Sequence, residues 1–391
     1  MQDTYIMLAL LWISCFWPYF CQQTMIALMP EIQESLSLST SAAGVLLSLN
    51  SLGYVAGFQL GSLLCTKLGR VKTIVFSTTV LIFSIFILSI FKAYLILAAV
   101  QIMIGVSCGV YPPAGLSLLS DLFSSNNRGK FVGIHETSVP TAMTVGPVFV
   151  GLLLNFGFDW GTVFQFCIVP SFALLGAQIA LFKIRYTSFS FNGNQNEQVK
   201  SKLFSQIPLF LIILVIVYVF RGAINAEVSL LPIYWVFELG ADVGFSAFIL
   251  GIMRIFSIFG QVCAGYLSDV FGRFRIFLAI QILLALSLVP TSYLPFGLPL
   301  YVSYAIFSVL YNAFMPVMFT IISEQSSPEE RPKNISIVMS IGGISTIIST
   351  TILSTVAENY SFKVAWIYPV ITSFASIPLI MLLKNNLRKN L

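Results

Sequence analysis

A constant shift of 203 residues carries Gly57 onto Gly260, Gly69 onto Gly272, Arg70 onto Arg273 and Lys72 onto Arg275. The same shift carries Pro113 onto Pro316, Asp121 onto Glu324, Arg128 onto Arg331 and Lys130 onto Lys333. Eight pairs at one spacing mark a duplicated half, and almost everything between them is apolar. A chain made of two like apolar halves is expected to fold as two like bundles, with any site at the interface between them.

The medium follows from composition. The chain is 57% hydrophobic and 9% charged over 391 residues, with mean hydropathy +0.92, whereas a soluble domain carries about a quarter charged residues. Crossing a bilayer takes about 20 apolar residues in a helix. Twelve such runs occur, at roughly 5–29, 42–64, 73–91, 94–119, 131–154, 161–183, 207–235, 245–268, 276–293, 298–322, 335–357 and 363–383. Only helices satisfy their backbone in lipid at this span length. The expected fold is therefore an all-α membrane protein. It has twelve transmembrane helices in two pseudo-symmetric six-helix halves, 1–183 and 207–391, joined by a polar cytoplasmic linker over 184–206.

Sixteen of the 20 lysines and arginines fall on the connections that share a side with the two ends, or in the carboxy-terminal tail. Lys92 and Lys363 lie on the other side, while Arg221 and Arg254 are inside spans. The positive-inside rule puts both ends in the cytoplasm. The net charge of +5 is scattered over short connections with no basic patch, so a nucleic-acid partner is not expected. The six cysteines lie in or beside apolar runs without CxxC spacing and read as small hydrophobes rather than disulfide or metal ligands. The first run lacks a basic leader segment and contains Trp12, Trp17 and Pro18, so it reads as a retained span.

Residues 265–275 read Gly-Tyr-Leu-Ser-Asp-Val-Phe-Gly-Arg-Phe-Arg. They fit the loop pattern G-x-L-x-D-x-x-G-R-x-[KR] at every fixed position, and a worn copy occupies Ser62–Lys72. With twelve spans and a central linker, the chain resembles the major facilitator superfamily over nearly its whole length. The resemblance implies secondary transport by alternating access. It also implies a cytoplasmic latch made by Gly265, Asp269, Gly272, Arg273 and Arg275 in one half and by Gly69 and Arg70 in the other. Glu324 and Asp121 would be the acidic partners of Arg273 and Arg70. The first copy has Ser62 and Thr66 where the pattern has glycine and acid, so the latch is expected to be lopsided.

Gly146-Pro147 with Gly151 in span 5 is similar to the exporter motif G-x-x-x-G-P-x-x-G-G, with Ala142 and Val150 departing from it. A plain packing kink is the competing reading of this helix break. Many proton-coupled members of the superfamily carry an arginine in span 4 where this chain has Gln101. A neutral amide cannot tune a carboxylate as a fixed cation does.

Charges within spans are costly and mark paths or relays. His135 and Glu136 of span 5, Arg221 and Glu227 of span 7 and Arg254 of span 8 are the ionisable residues found there. Glu136 is the first candidate proton carrier and Glu227 the second; His135 reads equally well as structural. The arginines fit three roles: neutralising the two glutamates, binding an anionic substrate, or snorkelling. Gln22, Gln23, Gln101, Asn225, Tyr111, Tyr311 and Asn312 are further candidates for the path, against the plain alternative of helix packing.

The expected function is proton-coupled export of a small amphipathic compound across the plasma membrane by a monomer, with no cofactor or metal. The alternative is import or exchange of a small organic anion through Arg221 and Arg254, and a non-transporting membrane receptor ranks lower. No G-x-G-x-x-G or Walker loop occurs, and Val139 stands where H-E-x-x-H needs its second histidine; an enzyme is not expected.

Overall fold

The computed structural model describes residues 2–123, 125–186, 208–326 and 330–389. Twelve long apolar helices account for almost all of it, and the described residues contain no strand. We label them α1 (Thr4–Ser35), α2 (Thr40–Leu68), α3 (Arg70–Ile90), α4 (Tyr94–Leu119), α5 (Phe131–Asn155) and α6 (Trp160–Phe182) in the first half. In the second half they are α7 (Leu209–Glu238), α8 (Val243–Phe271), α9 (Arg273–Tyr293), α10 (Leu298–Glu324), α11 (Asn334–Asn359) and α12 (Phe362–Leu383). Most of the expected 184–206 linker lies outside the described residues.

The spans agree with the hydropathy reading, but α1 does not stop at residue 29. It continues through Pro30 to Ser35. A proline removes one backbone bond and need not end a helix whose neighbours hold it on both sides. Here the extension is held by α6, since Trp160 Nε1 donates to Ser35 Oγ at 2.9 Å and the Trp160 amide donates to Glu31 Oε1 at 2.9 Å.

The duplication is visible in the packing. Gly57 of α2 lies against the backbone of Val106 in α4, and Gly260 of α8 lies against the backbone of Val309 in α10. Each glycine and each partner is related by the same 203-residue shift. A Cβ at either glycine would press into the facing carbonyl oxygen. This close approach needs glycine for its missing side chain, because small residues are what let helices dock in lipid.

Two helix pairs make the main seams between the halves, α2 with α11 and α5 with α8, with lesser contacts from α1 to α7 and α8. The antiparallel α2–α11 seam runs from the Ser41 amide donating to Glu358 Oε2 (2.6 Å), through Ser48 and Thr351 hydroxyls 3.2 Å apart, to Gln59 Nε2 donating to Ser340 Oγ (3.2 Å). The α5–α8 seam is partial. Gly151 meets Gly244 and Phe248, and Gly251 meets Thr144 and Val148, but the remaining halves of these two helices diverge. The molecule is thus closed at the face opposite the chain ends, and α5 parts from α8 toward the face that carries them, called below the terminal face.

Candidate functional site

Two arginines lie in the middle of the second half. Arg254, 5% exposed, ends the first segment of α8, which is interrupted at Ile255. Its Nε donates to Tyr304 Oη at 2.7 Å and its Nη1 donates to Gln23 Oε1 of α1 at 2.7 Å, so it reaches across into the other half. It faces a cavity of about 10 Å³ lined by Met143, Val228, Ser257, Tyr304, Phe307, Ser308, Tyr311 and Asn312, the space of one water.

Arg221 of α7 is 4% exposed. Its Nη2 donates to the Tyr311 carbonyl at 2.5 Å, and its guanidinium carbon sits 4.5 Å from the Tyr311 ring centre and 4.3 Å from that of Phe314. Nη1 is buried without a partner. Tyr311 joins the two arginines into one region: its ring covers Arg221, its edge lines the Arg254 cavity, and its hydroxyl donates to Asn225 Oδ1 at 2.9 Å. Asn225 Nδ2 donates in turn to Thr346 Oγ1 of α11 at 3.2 Å.

Neither arginine is neutralised by a glutamate. Glu227 is fully buried and accepts one bond, from Ser292 Oγ of α9 at 3.0 Å, while its Oε2 has no partner. Glu136, with 40% of its side chain exposed, lies 3.2 Å from His135 Nδ1. The ion-pair reading of Arg221 and Arg254 therefore fails. Two cations stand in a low-dielectric interior held by neutral acceptors and ring faces, with no acidic side chain on either.

The remaining candidates fall into two groups on the first half. Gln22, Asn50 and Gln101 form an amide chain whose last two members are buried: Gln22 Nε2 donates to Asn50 Oδ1, and Asn50 Nδ2 donates to Gln101 Oε1 at 3.2 Å and to its carbonyl at 3.3 Å. Gln22 and Gln23, adjacent in α1, connect this chain to Arg254. Tyr111 belongs elsewhere, bonded to His135 Nε2 at 2.8 Å and to the Leu11 carbonyl at 2.6 Å. Tyr304 and Ser292 are site residues that the sequence does not single out: Ser292 lies between Thr291 and Tyr293 and Tyr304 follows Ser303, and nothing there separates a partner of Arg254 or Glu227 from an ordinary polar residue in a span.

At the terminal face, Gly272 takes φ +92° and turns α8 into α9, as Gly69 with φ +86° turns α2 into α3. Arg273 pairs with Asp269 four residues back, donates to Glu324 Oε1 at 3.0 Å and to Ser268 Oγ at 2.8 Å. Arg275 is exposed. Gly265 meets nothing within 4 Å of a built Cβ and has ordinary φ, so neither a turn nor a close approach needs glycine there in this conformation. The Asp121 side chain lies outside the described residues. In α5, Gly146 abuts α1 at Phe20, Gln23 and Thr24, and Gly151 abuts α8; Pro147 follows Gly146 inside the helix.

The sequence model of the Major Facilitator Superfamily matches residues 11–297 and 228–390, two overlapping stretches that together span nearly all of the chain. The chain belongs to this superfamily. It is a multi-pass membrane transporter. The superfamily fold is equally clear in three dimensions. The inward-open xylose transporter XylE from E. coli superposes with TM-score 0.77 at 14% identity, covering 96% of this chain and 95% of that one. A bacterial homologue of the human lysosomal transporter Spinster, inward-facing and occupied, superposes with TM-score 0.79 at 13% identity, covering 99% and 98%. In sequence the chain is similar to the fujikurins efflux protein of Gibberella fujikuroi, 26% identical over 210 residues. That match takes in 50% of this chain and 42% of the relative's length.

Proposed function

We propose that this transporter exports a small amphipathic organic anion in exchange for protons. The observation that carries the reading is that Arg254 and Arg221 are buried beside an aromatic-lined cavity with no acid to neutralise them. A guanidinium suits carboxylate or sulfonate, and Tyr304, Phe307 and Tyr311 suit an apolar body. Efflux is the direction of the fungal relative, and Gly146-Pro147 is similar to the exporter motif.

The lysine and arginine asymmetry supports cytoplasmic ends, and the plasma membrane is the membrane proposed for export. With that orientation the terminal face is the cytoplasmic one and this conformation is open inward. Residues 1–183 and 207–391 would rock about the α2–α11 and α5–α8 seams, as a monomer, with the Gly265–Arg275 turn latching the halves when the cytoplasmic side closes. Glu136, beside His135, carries the proton.

The test is thermal stabilisation of purified protein, wild type beside Arg254→Ala, by organic acids, lipophilic cations, sugars and amino acids at two pH values. Stabilisation by amphipathic carboxylates or sulfonates that Arg254→Ala loses is the expected result. Stabilisation by lipophilic cations, unaffected by Arg254→Ala, would overturn it.

A further inference from the structure

A groove opens between α9 and α10 on the lipid-facing side of the second half. It measures about 570 Å³, within the range of sites that hold a small organic ligand. Leu283, Leu286 and Pro290 of α9 and Val302, Ile306 and Leu310 of α10 make its walls. Its two serines keep their hydroxyls for the protein: Ser287 Oγ donates to the Leu284 carbonyl at 2.8 Å, and Ser303 Oγ lies 3.2 Å from Thr291 Oγ1. Neither is left for a ligand, so the groove suits an apolar occupant.

The duplication shows that the fold does not impose this gap. In the first half α3 and α4 are clasped by Ser77 and Ser107, each hydroxyl donating to the other's carbonyl, at 2.8 and 2.9 Å. The 203-residue shift carries this clasp onto Ile280 and Leu310, which cannot make it. It also carries Phe83 and Ile87 onto the smaller Leu286 and Pro290. The second helix pair has lost a clasp and two larger side chains.

Length and charge identify the occupant. Leu283 to Tyr293 and Pro299 to Leu310 are ten and eleven residues, or roughly 15 and 17 Å of helix. The hydrocarbon core is about 30 Å thick, so the groove runs from its boundary to near the midplane, the depth of one leaflet. Tyr293, 41% exposed, ends α9 one turn past Pro290, at the level where tyrosines favour the lipid–water boundary. Its hydroxyl donates to the Lys363 carbonyl at 3.0 Å, which puts Lys363 at this end of the groove. Lys92, the other lysine of this face, is paired with Asp159. Lys363 is exposed and pairs with no acid among the described residues. An apolar channel one leaflet deep, with an unpaired cation beside its boundary end, matches a phospholipid's tail and phosphate.

We infer that the α9–α10 groove binds one phospholipid of the leaflet opposite the terminal face, with an acyl chain along the groove and its phosphate on Lys363. The occupant backs the helix that carries the candidate site, since Tyr304, Phe307 and Tyr311 line the Arg254 cavity from the other side of α10. The inference needs the chain to lie in a membrane and nothing about its substrate.

Native mass spectrometry of the purified transporter, released from detergent micelles with dioleoyl phosphatidylglycerol titrated in, counts bound lipids directly. One phosphatidylglycerol retained under activation that strips the rest is the expected result. Lys363→Gln should bind it about fivefold more weakly, the worth of one lysine at a lipid surface. Ile306→Trp, which fills the groove from its lipid-exposed side, should retain none. Val169→Trp, on the lipid face of α6, should match wild type. Equal retention in wild type and Ile306→Trp overturns the inference, as does equal affinity in Lys363→Gln. So does displacement of the lipid by an amphipathic carboxylate, which would make the groove part of the substrate path. Lys363→Gln alters only an exposed side chain, so the test stands even where Ile306→Trp fails to fold.

Discussion

Gln23 Oε1 accepts a 2.7 Å hydrogen bond from Nη1 of Arg254 across the boundary between the two halves. On the proposed function, an oxygen of an anionic substrate would compete with this amide oxygen for Arg254, and the amide holds the place without charge. A carboxylate at this position would hold Arg254 permanently. Gln23→Glu is expected to weaken binding of organic anions by about tenfold or more, the scale of a hydrogen bond to a charged group. Isothermal titration with an amphipathic acid measures it, and affinity equal to wild type would count against the substrate role of Arg254.

Arg254 donates in two directions, to Tyr304 Oη and to Gln23. A lysine keeps the charge but cannot hold both acceptors with a planar fork. Arg254→Lys should bind anions roughly tenfold more weakly, and Arg254→Ala more weakly still. The same titration ranks the three proteins.

Asp269 pairs with Arg273, which also holds Glu324. At the matching place in the first half, Thr66 Oγ1 bonds only the Leu63 carbonyl of its own helix, at 2.8 Å. Uptake into proteoliposomes should fall more in Asp269→Asn than in Thr66→Ala. Equal losses would refute a lopsided latch.

Gly151 and Gly251 let α5 and α8 touch backbone to backbone at the closed face, where a Cβ on Gly151 would lie 2.6 Å from the Gly244 carbonyl. Gly151→Val is expected to destabilise this conformation by about 1–3 kcal/mol, as overpacking does. A cysteine placed at Asn155 should then react faster with a water-soluble maleimide than in the parent protein. An unchanged labelling rate would show that the seam tolerates the added volume.

Outside the membrane, Lys92 pairs with Asp159, and hydrogen bonds from Lys92 and then Thr162 hold the Asp159 carboxyl down to about 2. A lowered value means that the stabilisation is complete above the ordinary aspartate range and is lost as pH falls through about 2. Both side chains are about half exposed, 47% and 48%, so solvent screening limits the pair to less than about 1 kcal/mol. Asp159→Asn should lower the melting temperature slightly at neutral pH. The gap should close on acidification, and a gap constant with pH would show that the pair contributes nothing.

How much could be read in advance varies by residue. The twelve spans and the turns at Gly69 and Gly272 follow from hydropathy and local backbone needs, and Glu324 as the partner of Arg273 follows from the motif. The interruption of α5 at Thr137 has a visible cause in Pro140. That of α8 at Ile255, beside Arg254, has no proline or glycine to announce it, and the structure offers no local reason. The neutralising pairs expected between arginines and glutamates do not form. Their formation depends on which faces of α5, α7 and α8 turn toward one another, and helix packing sets this without leaving a mark in composition.

By itself the sequence determined the medium, the number of spans, the duplicated halves and the superfamily, because burial in lipid, helix length and repeat spacing are periodic and local. Only the tertiary structure decided what each buried charge meets. The partners of Arg254 stand 50 and 231 residues away and those of Tyr111 100 and 24 away. Such distances are closed by ridges and small-residue grooves packing together, not by anything adjacent in the chain.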